Sequence, residues 1–435
     1  MRVSPFLFTL FILLAHPPWR PRAVVAQVPP SGAVPRPLTD LPPPFPADTL
    51  RSGNAESATR LLAGHGFANV AVTVTDDRVV ARFENARFRD ERRAILEAAR
   101  LLTSELPHQE LVLVAGTRGI PLVAVRFAGA SGATATNGKE PWGGTPHVSF
   151  DVSSLPPALL EAPRASSSFG RLELVVHPWL EAQFGQFDNP VRSRLGVAPE
   201  LRVDVRRGLA LSAQVLFTLH DELHPGESRV RPGVATLNHT VRLPRNAFLS
   251  ATVGTFTRDR YGADLEGRVF SMDGRLAAGA VMGLTGAAHY DRDGWRLEPM
   301  EPPLALLDVA GRIARYDLTL QATAGRFLDG DHGVRLHVLR RFGELEIGWF
   351  VLSTDAGSNG GLTLRIPLLP STHAATGAAR LRVADAFPWE YRYHALERAG
   401  RRYDTGSRLE ELGRRFDPAH LAKPPGITHP PSPPE

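Results

Sequence analysis

The sequence predicts a mainly β protein, a single antiparallel transmembrane β-barrel of about 12 strands preceded by a small α/β domain. Three observations lead there. Residues 169–370 keep a two-residue alternation of apolar and polar side chains through run after run, punctuated by turn residues. No segment beyond the N-terminus reaches the roughly 18 consecutive apolar residues of a spanning helix, so any membrane must be crossed by strands. Residues 51–127 follow a different pattern, helix–strand–strand twice over.

Composition sets the outer bounds. A chain of 435 residues exceeds one ordinary core and suggests two folded units with linkers. Hydrophobic residues at 43% and charged residues at 22% exclude wholesale disorder, while 39 Gly and 38 Pro call for many turns and Pro-rich connections. The absence of cysteine excludes disulfide scaffolds, thiol nucleophiles, Cys-ligated metals and a lipid-modified N-terminal cysteine. The net charge of +5 comes from 50 basic against 45 acidic residues spread along the chain. With no basic block interleaved with aromatics, no nucleic-acid partner is expected.

Residues 1–26, MRVSPFLFTLFILLAHPPWRPRAVVA, read as a secretory signal peptide, with basic Arg2, an apolar stretch to Ala15 and a small-residue end before Gln27. Residues 27–50 are a Pro-rich linker. In the α/β domain, 51–127, a helix around Ala58, Leu61 and Leu62 ends at Gly64/Gly66 and precedes strands at 70–74 and 78–84. A second helix, about 88–105, carries Ile95, Ala98, Leu101 and Leu102 on one face, and strands follow at 110–116 and 120–127. Residues 128–168, rich in Gly, Ser and Pro, form a second linker.

Within 169–370, Leu201, Val203 and Val205 alternate with Arg202, Asp204 and Arg206, and Ala263, Leu265, Gly267 and Val269 with Asp264, Glu266 and Arg268. Turns are expected at 243–246, 259–262, 272–275, 329–333 and 355–361. A soluble β-sandwich alternates too, but tends to fill its inner face with large aliphatics, whereas many apolar-face positions here are Ala or Gly. Alternation with polar residues on the other face suits a barrel with lipid outside and water within. Aromatics such as Phe256, Tyr261, Phe270, Tyr290, Trp295, Tyr316, Phe327, Phe342 and Trp349 fall largely near strand ends, where interface girdles belong.

Residues 246–370 carry a resemblance. Arg260-Tyr261-Gly262 with Asp264 and Gly267, Ala324-Gly325-Arg326-Phe327-Leu328 with Gly330-Asp331 and Gly333, Arg341-Phe342, Gly348, and Gly361 before Ile366-Pro367 resemble the YjbH-type outer-membrane proteins encoded with exopolysaccharide genes. The segments 65–72, 82–89 and 117–127 are similar to the family's N-terminal α/β part. The resemblance implies an outer-membrane barrel, a periplasmic α/β module and a part in producing or exporting an extracellular polysaccharide. Family members are commonly longer, with strands for a second barrel, and some are lipoproteins; this chain departs on both counts.

The candidate ligand-binding residues are Arg260, Asp264, Arg326, Asp331 and Arg341, in the lumen or at the rim, where structural pairing is the competing role. Expected partners are outer-membrane lipid, exopolysaccharide and other proteins of a secretion operon. No catalytic residue, metal site or cofactor is expected. HDELH (220–224) departs from the zinc-protease spacing and enters a Pro-Gly loop, and DGDHG (329–333) lacks the further ligands of a calcium loop. Residues 371–435 hold a short strand at 379–387, a basic, partly helical stretch and a Pro-rich end. They suggest a periplasmic extension packed on the barrel mouth, a docking segment, or arginines facing anionic lipid. The competing class for the whole chain is a soluble periplasmic or secreted β-rich protein that binds or hydrolyses glycans.

Overall fold

The computed structural model describes residues 52–423 except 76–77, 107–109, 129–144, 154, 156–158, 160–164, 185–190, 225–228, 292–293, 375–378 and 393–397. The expected signal peptide and first linker lie outside the described residues, as does the Pro-rich end. The described part is mainly β, and none of its helices is long and apolar enough to cross a membrane.

The α/β layer follows the expected periodicity closely. Helix α1 (Ser52–Gly64) leads into β1 (Phe67–Val74) and β2 (Arg78–Asn85); α2 (Glu91–Glu105) leads into β3 (Glu110–Thr117) and β4 (Ile120–Ala128). Asp90 caps α2 by accepting from the Arg92 amide at 3.1 Å. Strands pair in the order β1-β2-β3-β4-β5, with β2 and β3 parallel and the other neighbours antiparallel. Leu62, Phe67, Phe83, Ile95, Leu102 and Leu113 form part of one buried cluster. The region expected as a second linker contributes more than a connection: β5 (His147–Ser149) extends the sheet, and Val152, Leu155 and Leu159 bury against Val80, Val112 and Val114.

The second sheet has 15 strands. Thirteen lie within the stretch expected to hold about a dozen: β6 (Leu172–Phe184), β7 (Val191–Arg206), β8 (Leu209–Asp221), β9 (Val230–Leu243), β10 (Ala247–Phe256), β11 (Arg260–Phe270), β12 (Leu276–Asp291), β13 (Gly294–Met300), β14 (Leu304–Ile313), β15 (Leu318–Arg326), β16 (His332–Phe342), β17 (Leu345–Thr354) and β18 (Gly357–Pro367). Two more, β19 (Ala379–Val383) and β20 (Ala386–Arg392), come from the segment expected as an extension. Sequential neighbours pair antiparallel from β6 to β18, except that β13 branches off β12 and β14 pairs with β12 directly. β20 pairs antiparallel with β18, whereas β19 pairs parallel with β6. The sheet is therefore not wholly antiparallel. Its two ends meet on one short piece of chain, with Phe184 of β6 edge-on to Tyr391 of β20 at 5.3 Å, and no single ladder runs along that junction.

The turns at one end of this sheet touch the α/β layer. The Gly208 amide donates to the Arg118 carbonyl, Arg242 donates to the carbonyls of Pro121 and Leu122, and Phe150 stacks on Phe270 at 4.6 Å. Arg89 clamps Glu344 through two hydrogen bonds, one of 2.8 Å. The remaining two helices, α3 (Leu409–Arg415) and α4 (Pro418–Leu421), are short. The basic stretch is thus less helical than its sequence suggests, since Trp389-Glu390-Tyr391 is strand.

Gly254 and Gly262 face each other across β10 and β11 with φ of +143° and +150°. A Cβ on Gly262 would lie 2.1 Å from the Leu284 carbonyl oxygen, so only glycine fits. Gly267, five residues on, has only Leu249 Cδ1 at 3.9 Å. We therefore expect Gly262→Val to abolish the protease-resistant folded form while Gly267→Ala retains it; equal behaviour of the two variants contradicts this assignment.

Candidate functional site

The two faces of the 15-stranded sheet reverse the polarity of a water-soluble fold. Residues at i, i+2 and i+4 of one strand share a face; on β11 this sets Asp264, Glu266 and Arg268 together, all buried, with Glu266 only 2% exposed. Asn238, Thr252, Asp308, Thr323 and Arg335 join them from neighbouring strands. The opposite face is apolar and open: Leu265, Met282, Val309 and Leu336 are exposed, with Leu307 at 67% and Val351 at 60%.

What buries the charges is the C-terminal tail, residues 398–423. It does not sit at one end of the sheet but runs along the polar face from one end to the other. At the end away from the α/β layer, the Gly400 amide donates to Asp331 at 2.7 Å and Arg401 accepts from the Leu328 amide. Midway, Tyr403 stacks on Phe256 at 5.1 Å and donates its hydroxyl to Asp264 at 2.7 Å; Arg408 reaches the same carboxylate at 2.8 Å. The Leu409 amide donates to Glu266, Arg414 pairs with Glu346 at 3.1 Å, and Arg415 meets Glu91 of the α/β layer at 2.6 Å. Asp417 then pairs with Arg312 at 2.8 Å. Arg414 and Arg415 thus meet protein carboxylates, contrary to a role facing lipid.

β12 makes room for this. Gly283, opposite Asp264, is where a Cβ would lie 1.5 Å from the Tyr403 hydroxyl; Gly279 leaves space for Arg268 to bridge to Asp308 at 2.8 Å. These glycines lie on the polar face, and their small size serves the tail and the ion pair.

The five residues singled out in the sequence do not converge. Asp264 and Asp331 hold the tail. Arg341 pairs with Glu346 at 2.6 Å and donates to the Arg414 carbonyl at 2.9 Å. Arg260 pairs with Glu301 at 2.6 Å and bonds Thr285, and Arg326 donates to the Pro303 carbonyl. Three anchor the tail and two fix the connection after β13. Of the aromatics expected as girdles, Phe256, Phe270 and Phe327 are buried, whereas Tyr290, Trp295, Tyr316, Phe342 and Trp349 are exposed.

Beside the tail remains a polar cavity of about 860 Å³, within the range of ligand pockets. Its wall includes His177, Glu200, Arg335, His337, Glu390 and Arg402. Two carboxylates there already have two partners each: Glu200 has the His177 ring and Arg202, and Glu390 has Arg335 and Arg392. Sequence reasoning missed Arg335, Glu390 and Arg392; their alternation on β16 and β20 was the available signal. Among the described residues no group of three or more metal-ligating side chains occurs.

The model for the exopolysaccharide biosynthesis protein YbjH, family YjbH, matches residues 20–368. The chain belongs to this family. No curated protein and no solved structure matches it. The YjbH match spans the α/β layer through β18, so β19, β20 and the tail lie beyond it.

In this YjbH chain the tail's charges predict its response to acid. Burial pushes Glu91 up despite Arg415. Burial also opposes ionisation of Glu410, but Arg414, Arg268 and Arg402 outweigh it and hold the carboxyl at about 2, against 4.5 in an open chain. The Glu410 contribution is therefore complete above its unfolded value and lost as pH falls toward 2; Glu91, shifted the other way, offsets part of it. Amide exchange of residues 399–421 should quicken, relative to the intrinsic rate, between about pH 5 and about pH 2. Glu410→Gln should flatten that profile; an identical profile in the variant contradicts the assignment.

Proposed function

We propose that this YjbH-family protein is an outer-membrane β-barrel that assists exopolysaccharide biosynthesis or secretion without catalysing a reaction, with its α/β layer in the periplasm. The observation that carries this reading is the reversed polarity of the large sheet. A contiguous exposed apolar face of this size needs a cover, and hydrocarbon is the cover that tolerates Leu, Val and Met alternating with inward charge. Spanning strands must also leave no unpaired edge; the meeting of β6 and β18 on the segment 379–392 supplies one way to close a cylinder.

Other features agree. Exposed aromatics such as Tyr290, Trp295 and Tyr316 suit a membrane interface. With the tail along the polar face and the α/β layer across one end, the lumen is narrowed to the cavity of about 860 Å³ beside the tail, which favours an assisting role over a wide conduit. Glu200, bonded to the His177 ring and Arg202, and Glu390, paired with Arg335 and Arg392, have their oxygens already engaged, which leaves little scope for acid–base chemistry there.

The protein should fractionate with outer membranes and migrate differently in detergent gels before and after heating. Deleting its gene should lower extracellular polymer while sugar-nucleotide pools stay intact. Recovery as a monomer without detergent overturns the membrane reading, and unchanged polymer output overturns the secretory one.

A further inference from the structure

Four guanidinium groups line the cavity near the end of the sheet away from the α/β layer, and two of them share one carboxylate. Arg335 on β16 and Arg392 on β20 both pair with Glu390, at 2.7 and 2.6 Å, and both lie over the ring of Phe350, at 3.8 and 5.9 Å. Arg335 is 2% exposed, and its Nε, also buried, has no acceptor. Arg402 lines the same cavity from the tail, close enough to Arg335 for repulsion; Arg258, in the β10–β11 turn, donates through Nε to the Arg402 carbonyl at 2.9 Å and is similarly close to Arg392. Among the described residues neither Arg258 nor Arg402 has a carboxylate within ion-pair distance. The tail as a whole is saturated with counter-charges, so this local excess is not a general property of the polar face.

We propose that Arg258, Arg335, Arg392 and Arg402 form an anion-recognition site for the acidic group of a charged saccharide, a carboxylate-bearing unit above all. Gathering four cations where one carboxylate makes the ion pairs, with Glu181, Asp308 and Glu410 acting only at longer range, is costly in a confined space, and an incoming anion relieves that cost. Guanidinium forks match carboxylate and phosphate oxygens in two-point contacts. The Phe350 ring backs the cluster, and Thr363 with His337, bonded to each other at 2.9 Å, offers hydroxyl-compatible partners nearby. The proposal rests on the glycan-related reading above and narrows it from polysaccharide in general to acidic polysaccharide.

The test is equilibrium binding of a fluorescent hexamer of galacturonic acid to the full chain in detergent, with maltohexaose and inorganic phosphate as competitors. The acidic hexamer should bind, weaken with added salt, resist maltohexaose, and lose at least about tenfold in affinity in the variant combining Arg258→Ala and Arg402→Ala. Neither side chain is within ion-pair distance of a carboxylate, but Arg402 acts at longer range on Glu410 and Asp308, so unchanged heat-modifiable migration is required to show that the variant folds. Arg60→Ala, on an exposed helix surface, should bind as wild type. Absent binding, equal competition by maltohexaose, or full affinity in the double variant overturns the proposal, and displacement by phosphate alone at matching concentration reduces the site to a small-anion one. Each of those results leaves membrane fractionation unaffected, whereas loss of the broader reading shows as a chain that needs no detergent.

Discussion

Asp264 receives two charge-stabilising donors, and both come from outside the sheet that carries it. The Tyr403 hydroxyl and the Arg408 guanidinium reach it from 139 and 144 residues away in sequence. A buried carboxylate without such partners costs several kcal/mol, so the sheet's polar face and the tail are conditional on one another. The same holds at Glu266, which caps the Leu409 amide, and at Glu346, which Arg341 and Arg414 share. A strand pattern of Asp, Glu and Arg on one face of a sheet needs either water or a complementary chain, and here the protein provides the chain.

That dependence ties three parts into one unit. Arg415 carries the tail's charge into the α/β layer at Glu91, His420 reaches Asp90 at the start of α2, and Arg89, next in sequence, clamps the turn at Glu344. The beginning of α2 is therefore a junction between both folded parts and the tail. Conformational change in the tail would be felt there, because the tail meets it both through the carboxylates Asp90 and Glu91 and through Phe416 and Leu421, which join the buried cluster of the α/β layer.

Much of this was legible in the sequence and some was not. The α/β elements follow from periodicity, since Leu62, Ile95 and Leu102 mark helix faces that the core then buries. Alternation gave the strands of the large sheet and their two faces, because a two-residue period has one geometric outcome. The strand expected at 379–387 covers β19, but β20 was harder: Trp389-Glu390-Tyr391-Arg392 falls in the stretch expected to be partly helical, and its pairing with β18 makes it strand. The family resemblance marked Asp264, Asp331 and Arg341 as notable, but long-range partners determine that they hold the tail. The aromatic signal split for the same reason. Phe256 and Phe270 sit near strand ends yet serve as docking surfaces for Tyr403 and Phe150, a distinction that depends on which face each ring takes and what lies opposite.

The most direct measurement follows from the absence of cysteine, which lets single nitroxide labels be placed without background. Labels at Leu265, Met282, Leu307 and Val351, and in separate samples at Thr252 and Thr323, can be compared for collision with oxygen and with a water-soluble nickel chelate in lipid bilayers. If the apolar face lies against hydrocarbon, the first four favour oxygen strongly and the last two do not. Nickel access at Leu265, Met282, Leu307 and Val351 equal to that of a surface loop would contradict the membrane assignment at its root.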